Sequence, residues 1–427
     1  MTTLFWVIGF VVFALLGTPL FSIIGAVAFL LFYLANIDLS AVIIEMYRIA
    51  SAPALLAIPL FTFAGYVMAE SGTPQRLLRV ANALFGWIPG GLALVTLATC
   101  AFFTAFTGAS GVTIIAMGGL LYPLLVSQKY SEKFSIGIVT TCGSLGLLFP
   151  PSLPLILYGL VAQVSVDQLF VAGILPGFLL MALLSLYAIY QGKVFQVPRT
   201  SFRLKEVCVS MWHAAGELPL PLIILGGIYG GYMTATEAAS VAAFYVLMVE
   251  GLIYRDLNFL KDLPRIIRES MVLVGSIIII LGAALGLTNY LIDEQIPMKI
   301  LEMMKVYITS KIMFLVVLNI FLLVVGCMMD IFSAIIVVVP LIVPVAQAYG
   351  IHPLHLGIIF LTNLEIGYLT PPVGINLFIS SMRFGKSILS LYRSTLPFLV
   401  ILLIGLLMIT YIPWFSMSLV TWLGLFR

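Results

Sequence analysis

Apolar runs recur along the whole chain, and the polar stretches between them are too short to fold on their own. A bilayer is crossed by about 20 apolar residues at 1.5 Å rise each. By that measure residues 4–34, 53–69, 169–190, 218–232, 238–254, 271–292 and 391–411 read as spanning helices. Four further apolar blocks, 90–126, 134–161, 312–346 and 356–382, carry Gly, Pro and Ser or Thr at their middles. Proline has no N–H to give the ladder and its ring clashes with the preceding turn, so helices open at Pro150-Pro151 and Pro371-Pro372.

These interruptions repeat. Ser144-Leu145-Gly146-Leu147-Leu148-Phe149-Pro150-Pro151-Ser152 parallels Glu365-Ile366-Gly367-Tyr368-Leu369-Thr370-Pro371-Pro372-Val373 at an offset of 221, which Pro123 and Pro344 share. Each copy reads as a hairpin, a helix broken at G-x-x-x-P-P and an intact span. The expected organisation is one integral membrane domain over 1–427. A first repeat covers 53–190, a cytoplasmic loop with linking scaffold helices covers 191–254, and a second repeat covers 271–412.

Charge gives the two copies their sides. With the N-terminus inside and 90–126 and 312–346 as re-entrant hairpins, 15 of the 20 Lys and Arg residues fall on the cytoplasmic side, where such residues are retained. Treating either hairpin as a full crossing inverts everything after it and spoils the bias. The hairpins then enter from opposite faces, so the repeats are inverted. The fold class expected is an all-α polytopic membrane protein with two inverted-topology repeats, an arrangement in which discontinuous helices meet at the midplane of secondary transporters.

Composition agrees: 62% of residues are apolar and 9% charged, against roughly 45–50% and 25% in soluble domains. The net charge of +3 comes with basic residues in short clusters, which points away from nucleic acid. Cys100, Cys142, Cys208 and Cys327 have no paired spacing, so neither a disulfide nor a metal site is expected. The N-terminus lacks a basic n-region and an A-x-A site and is expected to stay as a membrane segment.

The breaks carry the candidate chemistry. Unpaired carbonyls in hydrocarbon survive only inside protein or beside a cavity or ion, and those at 143–149 and 364–370 suit a hard cation such as Na⁺. The half-helices that follow present positive N-termini, where an anionic group is favoured. The stretch 103–113 offers a Gly-containing turn with free hydroxyls. Asp330 lies in the middle of an apolar block, where an ionisable residue is a functional-site candidate. It could neutralise a cation, accept from a substrate hydroxyl or cap the second half of its hairpin. Ser110 and Ser152 could simply bond back to a helix carbonyl, and Glu365 could pair near a helix end. Glu45 and Arg48 read as interfacial anchors. Amphipathic arms are expected at 45–51 and 260–269, where they would brace a mobile body made of the hairpins and broken helices.

Two other classes compete. Gly108-Ala109-Ser110-Gly111 matches the G-x-S-G of rhomboid-type intramembrane proteases, whose serine needs a buried His. His213, His352 and His355 read as loop or membrane-edge residues, out of reach of Ser110, and His352-x-x-His355 lacks a third metal ligand. Channels also use hairpins and exposed carbonyls, but their filters usually arise from symmetric oligomers, whereas this chain carries its own inverted pair.

In the order of these parts the chain resembles the large membrane subunit of the TRAP (tripartite ATP-independent periplasmic) transporters over nearly its whole length. The matching residues are Ala57-Ile58-Pro59-Leu60-Phe61 with Gly65, the tip from Thr107 to Ser110, Gly146 to Ser152, Thr234-Ala235-Thr236-Glu237-Ala238-Ala239, and Gly367-Tyr368-Leu369-Thr370-Pro371-Pro372-Val373-Gly374. The resemblance implies a Na⁺-driven, elevator-type importer of an organic acid anion in the bacterial inner membrane. The anion would be a dicarboxylate, a sialic acid, a sulfonate or similar. The implied partners are a small four-helix membrane subunit and a periplasmic substrate-binding protein. Two Na⁺ sites are implied, one at Thr107, Ser110, Gly146 and Pro150, the other at Gly326, Gly367 and Thr370. Substrate contacts are implied for Ser110, Ser152 and Asp330. The family's first tip is usually richer in serine; here Thr107 keeps a hydroxyl at such a position and Ala109 does not.

Overall fold

The computed structural model of the protein describes residues 9–10, 12–13, 18–50, 53–198 and 201–425, and among them every regular element is helical. Among the described residues, seven helices are long and apolar enough to cross a bilayer, or eight if one bent pair is a single span. Rows of exposed apolar side chains, among them Leu222, Phe244, Val272 and Leu407, cover the outside. Such a surface belongs in lipid.

Two series of helices follow the same order. The first is Ala57–Glu70, amphipathic Thr73–Phe85, the hairpin Gly91–Thr107 and Ser110–Ser127, the interrupted helix Glu132–Cys142 and Leu153–Ala162, and Val166–Val194. The second is Asp262–Asp293, amphipathic Ile296–Tyr307, the hairpin Lys311–Met328 and Ile331–Ala348, the interrupted helix Pro353–Gly367 and Ile375–Phe384, and Ile388–Tyr411. Capping hydroxyls fix several starts: Ser131, Ser165, Ser310 and Ser387 each accept a backbone N–H of the helix they precede. The second hairpin is closed at its base, where Phe314 stacks on Tyr349 at 4.5 Å and Lys311 donates to the Gly350 carbonyl.

The two series interlock. The return arm Ser110–Ser127 packs on Ile375–Phe384, and the return arm Ile331–Ala348 packs on Leu153–Ala162. Gly111 permits the first approach, since a β-carbon there would lie 2.8 Å from Ile379 Cδ1. Thr140 donates to Ser380 Oγ at 2.9 Å, fastening one interrupted helix to the other.

Several elements differ from the sequence reading. The span expected over 4–34 begins outside the described residues, and within them a helix runs from Leu20 to Leu34 after Pro19. The side chains of Glu45 and Arg48 also lie outside them. The spans expected over 53–69 and 218–232 are helices of 14 and 11 residues, Ala57–Glu70 and Pro219–Tyr229, too short to cross alone. The second ends at Gly230-Gly231, where Gly231 has φ +74°. The arm expected over 260–269 is not separate: it is the start of the 32-residue helix Asp262–Asp293.

One ionic cluster pins the first amphipathic helix. The Arg76 guanidinium contacts Glu217, Glu250 (2.5 Å) and Asp256 (2.6 Å) and lies 3.9 Å from the Tyr254 ring centroid. Burial disfavours its charge, but the Asp256, Glu217 and Glu250 carboxylates outweigh that and raise its pKa.

Candidate functional site

A cavity of about 300 Å³ lies where the two hairpin tips and the two interruptions converge. Gly108 to Gly111 and Asp330 to Ser333 supply the tips, while Leu147 and Tyr368 come from the interruptions. Ile375 and Ile379 add the half-helix after the second break, and Leu273, Ser276, Ile277 and Ile280 of the long helix Asp262–Asp293 close the remaining wall. That wall carries no sequence signal, because Ser276 within an apolar run is ordinary.

Each break contains its proline pair, which keeps the helix from running on. After Glu132–Cys142 a 3₁₀ turn at Leu145–Leu148 precedes Pro150-Pro151, and the helix resumes at Leu153, bent by 45°. In the second series the helix stops at Gly367 and resumes at Ile375. Both Pro-Pro bonds are cis.

Each interruption is held against its own hairpin by a glycine. A β-carbon on Gly146 would lie 2.2 Å from the Ala101 carbonyl oxygen and 2.7 Å from the Ala105 nitrogen. On Gly367 it would lie 2.6 Å from the Gly326 α-carbon. At the first junction the Thr104 hydroxyl is 3.0 Å from the Gly143 carbonyl oxygen and 2.8 Å from the Thr113 hydroxyl. At the second, the Ile331 N–H donates to Tyr368 Oη at 2.6 Å and the Gly374 N–H donates to the Cys327 carbonyl at 3.1 Å.

The two tips are capped differently. Asp330 precedes Ile331–Ala348, and its Oδ1 accepts the Phe332 and Ser333 N–H groups at 2.9 Å each. The Ser333 hydroxyl donates to Oδ2 at 2.5 Å. At the offset of 221 the counterpart of Asp330 is Ala109, which precedes Ser110–Ser127 and has no side-chain bond to offer. The first tip therefore faces the cavity with an uncapped helix N-terminus, a place where anions are favoured.

The other candidate residues fall as follows. Ser110 and Asp330 both line the cavity. Thr107 is fully buried, and its hydroxyl has no hydrogen-bond partner. An orphaned buried hydroxyl is the donor a cation would satisfy. The Gly146 and Gly367 carbonyls accept the Phe149 and Thr370 N–H groups, and the Thr370 hydroxyl donates to the Ile366 carbonyl at 3.0 Å. Gly326 and Gly367 are brought together. Pro150 lines an outer apolar pocket with Phe149 and Phe178 and not the central cavity. Ser152 is buried outside the cavity lining, and its hydroxyl bridges the break to the Leu147 carbonyl. Glu365 is buried, with neither carboxyl oxygen in a hydrogen bond.

His355 is not a loop residue. It is 2% exposed, its Nδ1 lies 2.7 Å from Ser416 Oγ, and about 18 Å of helix separates it from Gly367. It sits too far away to activate Ser110.

An all-helical, multi-span membrane protein with a central cavity closed by two hairpin tips and two interrupted helices is, by class, a membrane transport protein. Residues 7–415 match the family described as tripartite ATP-independent periplasmic transporter, DctM component. The chain is 39% identical over 405 residues to the C4-dicarboxylate TRAP transporter large permease protein DctM of Pseudomonas aeruginosa, covering 94% of this chain and 93% of that one. It is 36% identical over 409 residues to the isethionate TRAP transporter permease protein DctMQ of Oleidesulfovibrio alaskensis, covering 95% of this chain and 64% of that longer protein. Its fold is similar to the crystal structure of the Alcanivorax borkumensis YdaH transporter, with a TM-score of 0.62, 14% identity and 98% of both chains covered. The chain belongs to the DctM family of TRAP transporter components. It is a permease subunit and not an enzyme.

Proposed function

We propose that this chain is the translocating subunit of a Na⁺-coupled TRAP transporter that imports an organic acid anion by an elevator mechanism. It would act in a bacterial inner membrane with its N-terminus in the cytoplasm. A periplasmic binding protein delivers the anion, and a small membrane subunit completes the scaffold. The relatives' names support an anionic cargo, since C4-dicarboxylates and isethionate share a negatively charged oxygen head. The observation that carries the reading is the uncapped N-terminus at Ala109 and Ser110, open to a cavity of about 300 Å³. That size is at the small end of ligand pockets, as suits a small acid.

In this reading the substrate anion occupies the first tip as Asp330 occupies the second, and Ser110 and Asp330 border it. Ser152 acts by holding the break beside the site. Na⁺ is co-transported: Thr107, Ser110, Gly146 and Pro150 offer oxygens for one ion, Gly326, Gly367 and Thr370 for another. Ion binding draws tips onto breaks and completes the anion site, so Na⁺ and substrate affinities rise by the same factor. The hairpins and interrupted helices move together along the wall formed by Leu273, Ser276, Ile277 and Ile280.

Reconstitution with the small subunit and the binding protein in proteoliposomes tests this. Uptake of the binding protein's ligand should saturate and collapse without an inward Na⁺ gradient. Non-saturating uptake that ignores Na⁺ would indicate a channel and overturn the proposal.

A further inference from the structure

Away from the central cavity, a polar pocket of about 490 Å³ opens between the amphipathic helix Thr73–Phe85 and the helix Leu204–His213. Arg79 lines it from the first helix, Lys205 from the second and Arg203 from the residue before it, together with Asn82, Ser201 and Ser210. Glu206 pairs with Arg203 at 3.2 Å. Among the described residues neither Arg79 nor Lys205 has an ion-pair partner, so the pocket holds two uncompensated positive charges. Exposed apolar side chains stand on the segments that form it: Trp87 meets Phe202 edge to face at 6.1 Å, Leu204 is 67% exposed and Trp212 is 80% exposed.

We propose that this pocket binds the phosphate of an anionic phospholipid, with the acyl chains lying along Phe202, Leu204 and Trp87. Three arguments converge. Guanidinium groups match phosphate oxygens in a two-pronged geometry, and the ammonium of Lys205 adds a point charge. Exposed Trp and Phe beside basic residues are the composition of a membrane–water interface, where headgroup and chain are met at once. Arg79 stands one turn from Arg76 on the adjoining part of the same helix, which the carboxylate cluster around Arg76 pins. A lipid there ties that helix to the segment joining the two helical series. In the orientation proposed above, the leaflet is the cytoplasmic one.

The full-length protein in nanodiscs tests this, with phosphatidylglycerol or phosphatidylcholine as the lipid. Phosphatidylglycerol should raise the apparent Tm by about 2–4 °C and survive as a bound adduct in native mass spectrometry. The double variant Arg79→Glu with Lys205→Glu should lose both effects while unfolding like wild type in phosphatidylcholine. If it fails to fold, Arg79→Gln with Lys205→Gln gives the same comparison. Equal Tm values in the two lipids would overturn the proposal. So would millimolar inorganic phosphate reproducing the gain in phosphatidylcholine, which marks a free-anion site. Loss of the lipid effect on adding the small membrane subunit would mark a protein interface instead.

Discussion

Gly367 and Gly326 lie so close that a β-carbon on the first would come within 2.6 Å of the α-carbon of the second. The contact joins the hairpin tip to the interrupted helix, and neither side can retreat by rotating a side chain. Gly367→Ala should therefore destabilise the protein by about 1–3 kcal/mol through overpacking and reduce Na⁺-dependent uptake. Gly275→Ala, where nothing lies within 4 Å, should unfold at the wild-type temperature or slightly above it. Thermal unfolding in detergent compares the two, and equal losses would place the effect in the helix backbone instead of the contact.

Ala109→Asp gives the first tip the cap that Asp330 gives the second. Ala109 has φ −130° and ψ 110°, already suitable for a capping residue. Stability without substrate should rise by about 1 kcal/mol, while uptake falls to background because the variant's own carboxylate occupies the anion position. Undiminished uptake would move the substrate elsewhere.

Asp330→Ala removes two backbone caps and should cost about 1 kcal/mol and abolish uptake with membrane insertion intact. Asp330→Asn keeps an oxygen for the Phe332 and Ser333 N–H groups, so it should recover most of the stability. Wild-type uptake by Asp330→Ala would leave the residue a cap only.

Thr107→Val separates ion binding from packing. The buried hydroxyl has no partner, so replacing it with a methyl should leave stability in Na⁺-free buffer unchanged or improved, since an unmet polar group costs about 1–3 kcal/mol. The Na⁺ concentration that half-stabilises the protein should rise about tenfold, a change of about 1.4 kcal/mol in binding. A Na⁺ titration of the unfolding temperature reads both.

Arg76→Ala leaves Glu217 and Glu250 buried without their cation and should cost about 3–5 kcal/mol. Adding Glu250→Gln should restore part of that loss. Arg76→Lys should rescue poorly, because one ammonium cannot face three carboxylates as the guanidinium fork does. Unfolding temperatures of the three variants decide the matter, and three equal values would show that the cluster is not coupled.

Much of this architecture is written locally. Pro371-Pro372 lies within a turn of the helix end at Gly367, and Pro150-Pro151 lies just before the helix resumes at Leu153, because proline acts on its own turn. The glycines at 146 and 367 mark close approaches, though not the partners they meet. What the sequence hides is what depends on distant partners. Arg76 meets its carboxylates 141 to 180 residues away, and nothing near Arg76 advertises them. His355 resembles a loop histidine until Ser416, 61 residues on, covers it. The wall at Ser276 and Ile280 belongs to the cavity only because the 32-residue helix passes it.

The interlocking of the two series also bears on how the chain is made. The return arm Ser110–Ser127 leaves the ribosome long before Ile375–Phe384 exists, so its glycine-bearing face must wait in the bilayer for a partner not yet synthesised. Either half expressed alone would lack the helix that covers it, and the two halves should assemble only when they are produced together.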